Sequence, residues 1–312
     1  MKVVEVDGLF KYLGSGFIRK TQKGILRGIS LSVEKGEFFG ILGSKRAGKT
    51  TLLSILSTVL LPDRGSVRVL GMDVVKEGEK IRKRINMSGG NANFPSSLTV
   101  LENLNFYAML YGLSGKDKRS RIEEVIEAFE LKEYRDVPFD RLSMGTKRGF
   151  CLAKSLLNDP ELLLLDEPTM GLDPDISIRI RKEINRIYKE KNITIILTTQ
   201  YMKEAEELCT GLAFLKDGII VTKGFPKEVR RSLKMGDVIK ITFSGPLLTS
   251  SVQALPGVIN CSIVEGCLAV TVDNKGKRLQ EILGFLRRGG ISITEVSFAD
   301  SDLEDIPVEL AR

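Results

Sequence analysis

The stretch "ILGSKRAGKTTLL", residues 41–53, constrains this chain more than any other. Gly43, Gly48, Lys49 and Thr50 satisfy the spacing GxxxxGK followed by Thr, after an alternating strand-like run and at the head of a helix-forming one. In that context the loop's backbone N–H groups and the positive helix end surround a phosphate chain. Ser44, Lys45, Arg46 and Ala47 fill the span between the glycines and join the cradle. Lys49 is placed to reach the β and γ oxygens, Thr50 to ligate Mg²⁺ through its hydroxyl, and Thr51 to hold the α-phosphate. Arg46 falls at a variable position of the loop. Its guanidinium is a candidate for charge near the terminal phosphate.

A second stretch, "LLLLDEP", delivers Asp166 and Glu167 to the end of an apolar strand, the edge at which open parallel sheets hold ligands. Asp166 is read as orienting the metal through water, and Glu167 as the general base for an attacking water. The 312 residues contain no histidine, so no imidazole competes for that role. Without histidine, and with Cys151, Cys209, Cys261 and Cys267 lacking any CxxC pairing, an ordinary zinc site is close to excluded. Buried free thiols are the expectation. The net charge of +7 is dispersed along the chain and gives a nucleic-acid role little support. No apolar run approaches the roughly 18 residues of a membrane span. The opening "MKVVEVDGLF" alternates like a strand, not like a signal peptide, and suggests mature cytoplasmic sequence.

Between about residues 95 and 160 apolar residues recur at three and four, which predicts an all-helical insert with Phe106, Tyr107 and Tyr111 in its core. The helix after the phosphate loop is expected to run through "GKTTLLSILSTVLL" until "PDRG". "ELLLL", the helix-patterned "ISIRIRKEINRIYKE" and "ITIILTT" read as strand, crossover helix and strand of a parallel sheet. A hairpin turning at Asp217 and Gly218 closes this unit near residue 232. From residue 236 onward the order is βαββαβ, that of a small ferredoxin-like module.

With these motifs in order, the chain resembles the ATP-binding subunits of ABC transporters. "GSKRAGKTT" matches Walker A, "LLLLDEP" Walker B, "RLSMGTKR" a variant signature motif and "MGLDP" the D-loop. The ending "SDLEDIPVELAR" resembles exporter-type subunits that pair with a separate ABC-2 membrane permease. The resemblance implies an α/β fold, a P-loop NTPase of ABC type with a mixed sheet and helical subdomain, over residues 1–232, and a smaller α+β part over 236–312. It implies ATP and Mg²⁺ as ligands and a head-to-tail dimer with a second ATP-binding subunit. Ser143 and Gly145 then act in trans on the γ-phosphate, Asp173 lies in the D-loop beside the nucleotide, and Tyr12 stacks on adenine. It also places the protein on the inner face of the cell membrane, through its permease.

The departures from the family fall on the nucleotide site. Arg46 and Met144 replace glycines, Thr146 replaces the signature glutamine, and Gly90, with Asn91 beside it, stands where the Q-loop glutamine belongs. Gln200 occupies the place of the switch histidine; its amide donates a hydrogen bond but carries no charge. ATP binding should therefore survive better than turnover. An ATP-hydrolysing subunit of an exporter is the reading these residues favour. The alternatives are a regulatory subunit with weak hydrolysis in a heterodimer, and an ABC ATPase acting on ribosomes or DNA.

Overall fold

The computed structural model describes residues 1–15, 21–89, 94–233, 235–264 and 266–299. Along the chain come β1 (Lys2–Ser15), β2 (Thr21–Glu34), β3 (Phe38–Leu42), α1 (Lys49–Leu56), β4 (Arg64–Val69), β5 (Met72–Asp73), α2 (Gly78–Arg84) and β6 (Ile85–Gly89). The helical insert follows as α3 (Val100–Leu110), α4 (Gly115–Ala128) and α5 (Met144–Ser155). The chain returns through β7 (Leu162–Asp166), α6 (Pro174–Lys191), β8 (Thr194–Thr199), α7 (Met202–Leu208), β9 (Gly211–Lys216), β10 (Ile219–Gly224) and α8 (Pro226–Ser232). Last are β11 (Asp237–Ser244), α9 (Thr249–Gln253), β12 (Val258–Val264), β13 (Cys267–Val272), α10 (Lys275–Arg288) and β14 (Ser292–Ala299).

A six-stranded sheet in the order β10-β9-β3-β8-β7-β6 forms the centre, parallel from β6 to β9, with β10 returning antiparallel. β3 and β8 are buried along their whole length because both faces of the sheet are covered. Leu163, Leu165, Ile195 and Leu197 face one core with the helical insert, whereas Leu162, Leu164 and Ile196 face a second with α1 and the antiparallel sheet β2-β1-β4-β5. Each such side chain contributes roughly 1.5–3 kcal/mol over its exposed state. Since β3, β7 and β8 run the same way, Leu42, Asp166 and Thr199 all end at one edge. That edge is where the site forms.

The insert packs on one side only. Thr99 and Glu102 form a capping box that starts α3, with Thr99 N–H donating to Glu102 Oε2 at 2.8 Å and holding that carboxyl below its usual range. Tyr107 joins Phe94, Phe139 and Phe150 in an aromatic cluster, and Tyr111 packs beside it. Phe106, expected in that core, is exposed instead, with Met109 and Leu110 on the outer face of α3, and its ring meets only the edge of that core through Tyr107 at 5.4 Å. The helix α1 is also shorter than expected. It stops at Leu56, where Ser57 N–H returns to Leu53 O and Thr58 turns left-handed at φ 63°, leaving Val59 and Leu61 exposed. No helix among the described residues is long and apolar enough to cross a membrane.

The last elements follow the βαββαβ order, and their antiparallel sheet has the order β12-β13-β11-β14. Ile239, Ile241, Leu268, Val270, Val272, Ile282 and Leu286 make a third core distinct from the other two. All the cysteines are free thiols; Cys151 and Cys209 are buried as expected, while Cys261 and Cys267 are only half-buried, lying on the edge strand β12 and on its neighbour β13. The segment "SDLEDIPVELAR" and the loop positions Gly90 and Asn91 lie outside the described residues.

Candidate nucleotide-phosphate site

The loop between β3 and α1 is held by glycines that admit no side chain. A Cβ on Gly43 would sit 2.4 Å from the Leu215 carbonyl oxygen, and Gly43 N–H donates to Thr199 O at 3.1 Å. Gly48 caps α1 at φ 109°, and a Cβ there would meet Leu26 Cδ2 at 2.8 Å. The hairpin turn at Asp217 and Gly218 clamps the loop from the side. Gly218 N–H donates to Ala47 O at 3.0 Å, and the Arg27 guanidinium donates to Asp217 O. Ser44 is half-buried, Lys45 and Arg46 are exposed, and Arg46 is left-handed at φ 66°. Thr50 is exposed in the first turn of α1 with Thr51 half-buried beside it.

Lys49 is only 4% exposed, yet it is fully satisfied. Its ammonium donates to Gly43 O at 2.7 Å and Ser44 O at 2.8 Å and pairs with Glu167 Oε1 at 2.9 Å. Three donors therefore converge on loop carbonyls and the strand-end carboxylate. Glu167, 21% exposed, takes a left-handed φ of 46°, which turns the chain sharply after β7 and aims the carboxylate back at the loop. Asp166 Oδ1 accepts from the Thr198 hydroxyl at 2.5 Å, and Glu167 N–H donates to Thr198 O at 3.1 Å. Gln200 follows directly at the end of β8, half-buried.

Ser143, Gly145 and Asp173 form a separate group. Ser143 caps α5, its Oγ accepting from Thr146 N–H at 3.1 Å and meeting Thr146 Oγ1 at 2.8 Å. A Cβ on Gly145 would lie 3.1 Å from Ile176 of α6, so the heads of α5 and α6 touch. Asp173 caps α6 with its carbonyl, which accepts from Ser177 N–H, and its side chain is exposed. Ser143 and Gly145 open on a cavity of about 730 Å³ lined also by Ile176, Arg179 and Lys182. Tyr12 lies on β1: its ring stacks near Phe10, with centroids 6.3 Å apart, and sits beside Gly24 of β2, whose neighbour Ile25 borders Gly48. Asp63 accepts from Tyr12 N–H at 2.6 Å, which holds the Asp63 carboxyl below its usual range.

Thr50 and Asp166 offer the hard oxygen donors that suit Mg²⁺, an ion that keeps several waters and takes most of the rest from phosphate. A threonine hydroxyl exposed at the head of α1 and a carboxylate with one oxygen engaged by Thr198 fit that role. Thr198, Thr199 and Gly218 support the site but carry no motif. The signal for the threonines was their place at the polar end of an otherwise apolar strand, "ITIILTT".

A parallel sheet whose edge carries a glycine-rich loop, a buried lysine and a strand-end carboxylate pair defines a P-loop NTPase. Residues 26–170 match the ABC transporter family. Over 309 residues, 98% of its length, the chain is 31% identical to the daunorubicin resistance ATP-binding protein DrrA3 of Streptomyces coeruleorubidus, spanning 95% of that protein. It is 34% identical over 227 residues, 73% of the chain, to the Nod factor export ATP-binding protein I of Ralstonia nicotianae, spanning 68% of it. The structure of cbiO1 of Clostridium perfringens, part of an ABC transporter complex, superposes with a TM-score of 0.64 at 28% identity, covering 74% of this chain and 91% of that one. The chain belongs to the ATP-binding proteins of ABC transporters. The family binds ATP, with Mg²⁺ as its usual partner ion, so hydrolysis is expected of it.

Proposed function

We propose that this chain is the ATP-hydrolysing subunit that energises a separate ABC-2 type permease in an exporter, working as a dimer of ATP-binding subunits at the inner face of the membrane. The observation that carries the reading is the convergence of Lys49, Asp166 and Glu167 at the sheet edge, with Lys49 and Glu167 2.9 Å apart. Similarity to a Nod factor export ATP-binding protein supports the export direction. Residues 1–232 form the ATP-binding part and 236–312 a ferredoxin-like part.

The roles follow from position. The loop N–H groups and Lys49 neutralise the phosphates, Thr51 holds the α-phosphate and Tyr12 stacks on adenine. Mg²⁺, when bound to Thr50 and Asp166, supplies charge to the developing transition state. Glu167 takes the proton of the attacking water as its oxygen bonds to the γ-phosphorus, while the bond from that phosphorus to the β–γ bridging oxygen breaks and ADP leaves with the electron pair. Gln200 donates a hydrogen bond to a γ oxygen and leaves the proton balance to Glu167. Ser143, Gly145 and Asp173 complete the site of the opposite subunit, and the insert passes dimer closure to the permease.

Glu167→Gln should lower steady-state turnover by about 10²-fold or more and trap ATP between subunits. Unchanged turnover in the purified protein overturns the assignment. A second reading, a regulatory half that retains ATP beside a hydrolysing partner, is favoured by the neutral Gln200 and by Met144, 55% exposed at the head of α5. One ATP retained per dimer through many turnovers would support it; equal turnover at both sites would exclude it.

A further inference from the structure

The motifs leave one buried ionisable group without a role. Glu204, in the first turn of α7, is 1% exposed. Its Oε1 accepts from the Thr169 hydroxyl at 2.7 Å, the Thr199 hydroxyl faces the same carboxyl, and Oε2 has no hydrogen-bond partner among the described residues. Arg181 lies near it, but its Nε sits 2.8 Å from Glu207 Oε2. An unpaired carboxylate in such a place costs several kcal/mol, so burial raises the Glu204 carboxyl above its usual range and favours the neutral acid.

What this group holds is the turn that carries the catalytic carboxylate. Thr169 is itself buried and sits two residues beyond Glu167. Met170 N–H donates back to Glu167 O at 3.2 Å, and Leu172 N–H to Thr169 O at 3.3 Å. Glu167 keeps a left-handed backbone inside that turn. From the other side, Glu204 lies one helical turn after Gln200, on the helix that Gln200 and Tyr201 lead into. One carboxyl group therefore joins the Glu167 turn, the end of β8 and the helix after Gln200.

We propose that Glu204 is a positioning residue for ATP hydrolysis: by holding Thr169 it fixes the Glu167 turn against the helix that follows Gln200, so that carboxylate and amide keep one spacing about the reacting phosphate. The proposal rests on Glu167 being the general base.

The test compares Glu204→Ala, Glu204→Gln and Thr169→Val in the full chain, with Glu167→Gln as control, measuring kcat, KM for MgATP and Kd for ATP. Glu204→Ala and Thr169→Val should each lower kcat about tenfold or more, as expected for a small misplacement of a reacting group, with Kd within about twofold. Glu204→Gln, isosteric with the neutral acid, should keep at least half of wild-type kcat. Should Glu204→Ala fail to fold, Thr169→Val decides alone, because it removes only the hydroxyl. Wild-type kcat in Thr169→Val, or equal loss of kcat and nucleotide binding, overturns the positioning role. Unchanged turnover in Glu167→Gln overturns the catalytic base itself, a different failure.

Discussion

Arg46 stands at the tip of the phosphate loop in a left-handed conformation, φ 66°, which costs a side-chain-bearing residue about 1–2 kcal/mol. Glycine would relieve that strain but add about 0.4–1 kcal/mol of unfolded-chain entropy. Arg46→Gly should therefore change stability by about 1 kcal/mol or less, measured by urea denaturation, and leave ATP affinity within about twofold. A fall in turnover at unchanged stability would assign its exposed guanidinium the charge role at the γ-phosphate. Gly43 is the opposite case, because its missing Cβ space is occupied by the Leu215 backbone. Gly43→Ala should cost about 1–3 kcal/mol, read as a lower urea midpoint, and weaken ATP binding. At this scale the contiguous parts of the site were legible: Gly43, Gly48, Lys49 and Thr50 announce themselves by spacing, and Asp166 and Glu167 by the strand before them. Thr198 and Glu204 were not. Asp166 and Thr198 become neighbours only when β7 pairs with β8, and Glu204 meets Thr169 only through the packing of α7.

Helix α5 carries Ser143 at its head and, at its far end, a polar joint that no stripe pattern displays. Lys154 donates to Asn86 Oδ1 and Met87 O of β6, both at 3.1 Å, and lies 5.6 Å from the Tyr107 ring of α3. It thus couples the insert to β6. Burial lowers its ammonium from 10.5 to about 8. For a lysine depressed on folding, the unfolded chain binds the extra proton between those values, so stability rises as pH climbs through 8. From pH 7 to 9 the gain is about 1 kcal/mol, and it should vanish in Lys154→Met. Thermal or urea unfolding of both proteins at the two pH values checks this. The adjacent Cys151 thiol, pushed up to about 11 by burial, acts with opposite sign as pH rises through 9 and offsets a few tenths of a kcal/mol of that gain by pH 9. Elements were legible where periodicity was clean, as in α6 and β8. The end of α1 was missed because the apolar run continues past Thr58, whose left-handed turn leaves no mark in hydropathy.

Across the whole molecule, two cores share the central sheet and the third, within residues 237–299, stands apart. The alternation of β11, β13 and β14 made that last unit readable. The separate sheet β2-β1-β4-β5 was hidden, since β1 and β4 meet only across the intervening β2, β3, phosphate loop and α1. Between the units Arg230 pairs with Glu206 and with Asp237, at 3.1 and 3.0 Å, with all three side chains about a quarter to a third exposed. Such pairs contribute roughly 0–1 kcal/mol each, less than the several buried aliphatic side chains inside each core. Weak coupling between strong cores predicts two unfolding transitions in calorimetry. ATP at about a hundredfold over its Kd stabilises the binding part by about 2.7 kcal/mol, which for a unit of this size raises its midpoint by roughly 5–10 °C. The transition of the C-terminal part should stay where it is, because no residue of the phosphate site belongs to it. A single transition moved as one body by ATP would show instead that the three cores fold and unfold together.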